Sequence, residues 1–257
     1  MRIFLINLAR RPDRLAAMTR AAGGLPLRRI EAVDARDPGD LDGLFEEAGP
    51  LGEIPRGDKA CLLSHRAAWQ EFVASGEAHA TFLEDDVILT PSAGRFLGDA
   101  GWIPQGVALV KLEHYGPPGQ SVLLSDFRDL DGGFKLARMH SRHTGAAAYI
   151  LTRQAAQMLL AERRFNLPVD HALFNPNNSA LFARLAPWQL LPAVARQQDF
   201  VGAKSDIEGT RVGLRALTPT YIRRELVRFG YDLKLLPRQL LLLALGRAKF
   251  TRIGTEP

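Results

Sequence analysis

An α/β architecture is predicted by three features of the chain. Strand-like apolar runs alternate with segments that carry helix start and stop signals. The run Ala80-Thr81-Phe82-Leu83, resumed by Val87-Ile88-Leu89, has the apolar density of a strand covered on both faces. No internal repeat or low-complexity stretch interrupts the pattern, so a single unit is expected rather than an array. At 257 residues there is room for one substantial core and an appendage.

Arg2 to Leu8 reads as the opening strand. Pro12 presets φ for a first helical position, and the helix should run to about Ala22. Arg28 to Val33 alternates as a second strand and ends at Asp34. Residues 36–56, rich in Gly, Pro, Asp and Glu, predict a long irregular excursion. Asp58 is expected to cap a helix running to about Ala74, stopped by Ser75-Gly76. A short helix should follow Pro91-Ser92, then a strand over Val107–Leu112 and a loop at Gly116–Gly119. Tyr149–Leu151 reads as a strand feeding a helix from Arg153 to about Glu162.

The three carboxylates of Glu84-Asp85-Asp86 end or interrupt the most enclosed of these strands. Adjacent negative charges there repel one another and resist desolvation unless something positive lies between them. A divalent cation held by oxygen ligands and shared with substrate phosphates is the usual solution. Glu84 and Asp86 alternate, so on an extended backbone both point to one side. An acidic surface turn after a core strand is the alternative. Cys61, His65 and Trp69 recur every fourth residue and share a helical face. With no other Cys in the chain, zinc coordination through them is rejected.

Hydrophobic residues make up 46% and charged residues 24%, as in ordinary globular proteins. The single Cys61 excludes an intramolecular disulfide framework and suits a reducing compartment. Ile3 to Leu8 is too short for a secretory signal, and no apolar run is long enough to span a bilayer. A cytoplasmic location is therefore expected. The net charge of +5 is uneven, because residues 211–257 hold ten Lys or Arg against three Asp or Glu. No nucleic-acid reader motif accompanies this basic tail, so nucleic acid is not an expected partner. The Gly-rich pieces form neither a P-loop nor a dinucleotide fingerprint.

Five ordered segments carry a family resemblance. They are Ile3-Phe4-Leu5-Ile6-Asn7-Leu8 with Arg10-Arg11-Pro12-Asp13-Arg14, Gly57-Asp58-Lys59-Ala60-Cys61-Leu62-Leu63-Ser64-His65, Glu84-Asp85-Asp86, Thr144-Gly145-Ala146-Ala147-Ala148-Tyr149, and Pro168-Val169-Asp170. In this order the chain resembles glycosyltransferase family 25 from about residue 1 to Ser205-Asp206-Ile207. Asp58 and Ala60 depart from the Gly-Glu-x-Gly-Cys stretch usual in that family, though Asp58 keeps the charge.

The resemblance implies a GT-A-type fold over residues 1–210, with residues 211–257 as a basic helical tail. It implies transfer of a sugar, galactose foremost, from a UDP-sugar donor to a bacterial lipooligosaccharide or related glycan, with inversion. Glu84 and Asp86 would hold Mn2+ or Mg2+, with Asp85 on the donor. Asn7, Arg10, Arg14, Val33, Asp34, Ser64 and His65 are further donor candidates, and Arg11 could also reach phosphate. Asp170 is the candidate catalytic base, with Glu113 second; Asp170 as a helix cap is the alternative. His140, His143 and His171 are candidate extra metal or diphosphate ligands, and Lys111 and Arg153 candidate phosphate partners. Gln197, Ser205 and Asp206 suggest a loop closing over the donor. A catalytically inactive assembly protein and a metal-dependent sugar-phosphate hydrolase are the competing classes.

The tail mixes basic and apolar residues over Tyr221–Phe229 and Leu233–Phe250, with Pro237 expected to mark a helix boundary. Such a helix suits the anionic inner face of the cytoplasmic membrane. Packing on the catalytic domain, or across a homodimer, is the alternative.

Overall fold

The computed structural model describes residues 1–116, 120–197 and 219–256, and within 219–228 it describes the backbone and the Leu226 side chain. The chain forms a mixed α/β fold around a nine-stranded sheet. The opening strand β1 (Arg2–Asn7) lies between two parallel neighbours, β2 (Leu27–Glu31) and β3 (His79–Glu84). Antiparallel β9 (Ala148–Thr152) pairs with β3 and with β5 (Leu109–Lys111). Strands β10 (Trp188–Leu191), β8 (Lys135–Met139) and β7 (Ser121–Asp129) continue the sheet, and β12 (Ala248–Arg252) closes its edge. A smaller sheet joins β4 (Val87–Leu89), β11 (Ala195–Gln197) and β6 (Glu113–His114).

Period-two alternation sends Phe4, Ile6, Phe82 and Tyr149 to one face and Ile3, Leu5, Leu83 and Ile150 to the other. Both faces are covered, which explains the unbroken apolar runs. Helix α1 (Pro12–Ala21) covers the second face through Met18. Helix α2 (Arg56–Ala74) covers the first face through Leu62, Trp69 and Phe72. The chain leaves β1 through α1 to β2, then returns through α2 to β3 on the other side of β1. The order reverses at β1, and open α/β sheets bind ligands beyond the carboxyl ends of the strands at such a point.

Several expectations need correcting. Helix α2 starts at Arg56 with Pro55 before it, so Asp58 lies inside the first turn and is buried rather than capping. Strand β3 ends at Glu84, and Asp85-Asp86 form a turn, so strand alternation does not orient Glu84 and Asp86. Helix α7 (Pro219–Ala244) continues through Pro237 instead of stopping there. Turns on both sides of the proline are held, since Leu235 and Leu242 face the main domain and Gln239 Nε2 donates to His140 O at 2.8 Å.

The last residues of the chain belong to the main sheet. Strand β12 pairs with β7 along five residues, Ile253 is buried, and Glu256 accepts from Ser92 N at 3.0 Å. The expected boundary at 210/211, together with Ser205 and Asp206, lies outside the described residues. Removing everything after it would strip an edge strand from the sheet.

Candidate active site

Beyond the carboxyl ends of β1, β2 and β3 lies a cavity of about 290 Å³. Its lining includes Glu84, Asp85 and Asp86 from the β3–β4 turn, Val33 and Asp34 after β2, and Arg10 and Arg14 at the start of α1. Helix α2 adds Cys61 and Ser64. Chain segments far apart in sequence converge here because the sheet order reverses at β1.

Each wall is built by identifiable bonds. Asn7 is buried and does not line the cavity; its Nδ2 donates to Asp85 Oδ2 at 2.7 Å and to Arg11 O at 2.9 Å. Arg29 Nε donates to Asn7 Oδ1 at 3.0 Å, so the amide is engaged at both ends. Arg14 Nη1 reaches Asp85 Oδ1 at 3.2 Å. Both oxygens of Asp85 are therefore held by the protein. Asp34 accepts from Arg36 N at 3.0 Å and pairs with Arg10 at 2.5 Å. The Arg36 N–H and the Arg10 guanidinium hold its carboxyl below the usual range. Ser64 Oγ donates to Ala60 O at 2.7 Å and accepts from Val33 N at 2.9 Å, fixing the loop after β2 to α2.

Glu84 is set from behind by a buried relay. Trp69 Nε1 donates to the Tyr149 hydroxyl at 2.8 Å, and that hydroxyl lies 2.8 Å from His65 Nδ1. Fully buried Tyr149 has one hydroxyl hydrogen to place, and His65 Nδ1 is the acceptor in reach. The imidazole thus carries its proton on Nε2 and donates it to Glu84 Oε1 at 3.0 Å. Cys61 Sγ makes a longer contact with the same oxygen at 3.7 Å. Burial, with the charges of Glu84, Asp58 and Asp170, pushes the Cys61 thiol well up.

Among the described residues, Cys61, His65 and Glu84 bring donor atoms within 4.8 Å of one another. The relay argues against a metal between them. A metal on His65 Nε2 would move the proton to Nδ1 and leave the buried Tyr149 hydroxyl hydrogen without an acceptor. Glu84 and Asp86 line the cavity instead. Hard oxygen donors beside cationic side chains fit a divalent ion shared with a diphosphate.

Asp170 belongs to helix α5 (Val169–Phe174), sits at its second residue rather than its cap, and places Oδ2 3.5 Å from Gly145 N. It does not line the cavity, but its charge reaches Cys61, which does. Other sequence candidates stand elsewhere. Glu113 and Lys111 are fully buried and joined Nζ to Oε1 at 2.7 Å, with Ala147 N donating to the same Glu113 oxygen at 2.8 Å. Neither can meet an acceptor hydroxyl or a phosphate. Burial pushes Lys111 down and Glu113 up. Together they hold the segment leading into β9, whose Ala147 O accepts from Glu84 N at 2.8 Å.

His143 is buried against Gln189 Oε1 at 2.8 Å, His171 bonds Asn175 at 2.8 Å, and His140 lies near α7, so none lines the cavity. Arg153 Nε donates to Glu77 O at 2.7 Å beside the amino end of β3, away from the cavity. Arg11 pairs with Asp13 at 2.8 Å outside the cavity. Gln197 pairs in register with Val87, the residue after Asp86.

Sequence reading missed Arg36 and Arg56, which also line the cavity. Arg56 Nε donates to Ala35 O at 2.7 Å, and its Nη2 to Asp37 O and Gly39 O at 2.6 and 2.8 Å. It ties down the irregular excursion, and only its place at the start of α2 hinted at this. Gly145 adopts φ +90°, and a Cβ there would meet the Tyr115 ring at 2.6 Å, so the Thr144-Gly145-Ala146 stretch needs glycine.

A sheet whose order reverses beside an acid-lined, arginine-rimmed cavity defines an α/β protein with a ligand site at its switch point, and comparison with known proteins specifies the family. The family model described as "Glycosyltransferase family 25 (LPS biosynthesis protein)" matches residues 1–173, and the chain belongs to that family. The lacto-N-neotetraose biosynthesis glycosyltransferase LgtB of Neisseria gonorrhoeae is 29% identical over 218 residues, 77% of this chain and 75% of that one. Its counterpart in Neisseria meningitidis serogroup A is 30% identical over 217 residues, again 77% and 75%. The lipooligosaccharide biosynthesis protein lic2B of Haemophilus influenzae is 27% identical over 183 residues, 66% of each. A solved glycosyltransferase involved in glycosylation of the major capsid of PBCV-1 aligns at a TM-score of 0.37 and 10% identity, covering 89% of this chain and 100% of that one.

Proposed function

We propose that this glycosyltransferase moves galactose from UDP-galactose to a lipooligosaccharide or related glycan, with inversion at the anomeric carbon and with a divalent cation, manganese foremost. The observation that carries the reading is the convergence of Glu84, Asp86 and four arginines on one cavity. A diphosphate there would be attracted by Arg10, Arg14, Arg36 and Arg56 and repelled by Glu84 and Asp86. A cation held by those two carboxylates would reverse the repulsion and neutralise the leaving diphosphate.

The protein's own groups then have distinct tasks. Asp85, held by Asn7 and Arg14, keeps Arg14 aimed into the cavity. The backbone at Ala32 and Val33, fixed through Asn7 O and Ser64 Oγ, offers an edge for the uracil. Asp170 accepts the proton of the acceptor hydroxyl as its oxygen bonds to the anomeric carbon and the bond to the diphosphate oxygen breaks.

A membrane reading goes with it. No helix among the described residues is long and apolar enough to cross a membrane. Leu226, Phe229, Leu233, Leu236 and Leu240 nevertheless form an exposed stripe along α7. That stripe and the exposed Lys234 and Arg238 beside it favour docking on the anionic inner face of the cytoplasmic membrane, where a lipid-linked acceptor is presented.

Transfer from UDP-galactose and UDP-glucose to de-galactosylated lipooligosaccharide, scored by linkage-sensitive NMR, tests the function. Manganese-dependent transfer of galactose with inverted configuration, abolished in Asp170→Asn while UDP binding persists, is the expected result. Hydrolysis without transfer would favour the hydrolase reading, and neither reaction would favour an inactive assembly protein.

A further inference from the structure

Between the main sheet and the C-terminal half of α7 lies a second cavity, of about 490 Å³. Arg138 enters it from β8, Arg238 from α7 and Arg247 from the turn before β12, with Ser125, Asp126 and His140 completing the polar lining. No ion pair joins any of the three arginines to an acid among the described residues. Asp126 is the one acid in the lining, and its Oδ2 already accepts from Ser125 Oγ at 2.8 Å. His140 Nε2 lies 2.7 Å from the same hydroxyl. Burial, then Arg138 and Arg238, lower the His140 pKa to about 4, so the ring is neutral and the cavity's positive charge is guanidinium.

We propose that this cavity binds the phosphate of an anionic lipid headgroup. Three guanidinium forks on one space match the geometry of phosphate oxygens. A lipid source is favoured by what lies beside it. Leu240, Leu241, Leu245 and Phe250 are exposed around the same end of α7 and the start of β12, where acyl chains could receive them. A second copy of the chain on this face would bring two tails of net +7 together, which like-charge repulsion opposes. The inference rests on the membrane reading above and sharpens it. A bound headgroup would bridge Arg138 of the main sheet to Arg238 and Arg247 of the tail, fixing the orientation of the catalytic cavity relative to the membrane.

Charge-conserving variants give the test. Co-sedimentation of the full chain with phosphatidylcholine vesicles, with and without phosphatidylglycerol, is compared for wild type, Arg138→Lys and Arg238→Lys. Adsorption by charge alone leaves both variants at wild-type affinity, which would overturn the site. Loss of the fork predicts binding about tenfold weaker to the anionic vesicles. Lys234→Arg, on the exposed side of α7, should change nothing. If wild type binds no vesicle, the membrane reading falls and inorganic phosphate decides the site. Thermal protection by phosphate that Arg138→Lys removes would keep a phosphate site supplied from solution, and equal protection or none in both proteins would overturn it.

Discussion

His65 donates its Nε2 hydrogen to Glu84 Oε1 over 3.0 Å, and the direction of that bond is set by Tyr149 and Trp69 behind it. One oxygen of the first carboxylate in the acidic triplet is thereby occupied by the protein. Its orientation depends on a hydroxyl and an indole that never reach the cavity.

Tyr149→Phe keeps the ring packed between Phe82 and Phe174 but removes the hydroxyl. Trp69 Nε1 and His65 Nδ1 then lose their partner inside the core. Unfolding in urea should show a loss of about 1–3 kcal/mol. Manganese-dependent UDP affinity should fall as well, since Glu84 is no longer held in one orientation. Wild-type affinity in a folded Tyr149→Phe protein would show that the relay serves stability alone.

Lys111 and Glu113 form a buried pair whose two members fail differently when removed singly and together. Lys111→Met should destabilise by about 3–5 kcal/mol, because it strands a buried carboxylate. The double variant Lys111→Met/Glu113→Leu should recover most of that loss. Equal stability of the single and double variants in denaturant titrations would contradict this account of the pair.

Acid should weaken the fold through buried histidines. Burial and the nearby Lys111 lower His143 from 6.5 to about 3, while burial and arginines lower His140 to about 4. Below pH 6.5 the unfolded chain therefore binds protons that the folded chain refuses, and stability falls as pH drops. By pH 5 the buried His143 alone should account for about 2 kcal/mol. The thermal midpoint should fall between pH 7 and 5, and His143→Gln should flatten the slope. A midpoint independent of pH over this range would rule the mechanism out.

Much of this was legible in the residues, and the exceptions have physical causes. The strands around Phe4 and Phe82 announced themselves because burial on both faces leaves an unbroken apolar run. The acid triplet stood out because charge at the end of such a run is costly. The pairing of Glu113 with Lys111 did not, since an ion pair buried by tertiary packing has the sequence of an ordinary polar strand end. Arg56 was missed for a similar reason, because its partners are backbone carbonyls of an irregular loop. Strand β12 was hidden inside a basic tail, and only its pairing with β7 makes it part of the sheet. The placement of Arg10 and Arg14 at the cavity came from their position after β1, whereas the engagement of Asn7 with Asp85 needed the fold.

Asn7→Ala tests whether the wall behind Asp85 matters to the donor. Removing the amide withdraws a donor from Asp85 at 2.7 Å and an acceptor from Arg29 at 3.0 Å. Stability should fall by about 1–3 kcal/mol, and the donor KM should rise more than kcat falls. A large loss of kcat at unchanged KM would instead place Asn7 nearer the reacting atoms.

In the proposed function, Glu84 and Asp86 hold a cation that lets a uridine diphosphate occupy the arginine-rimmed cavity. Calorimetric titration of UDP into the full chain, with and without manganese, tests it on wild type and Asp86→Ala. Binding should require manganese in the wild type and be lost in the variant, with the fold intact by circular dichroism. Manganese-independent binding of equal strength in both proteins, or no binding in either condition, would contradict it.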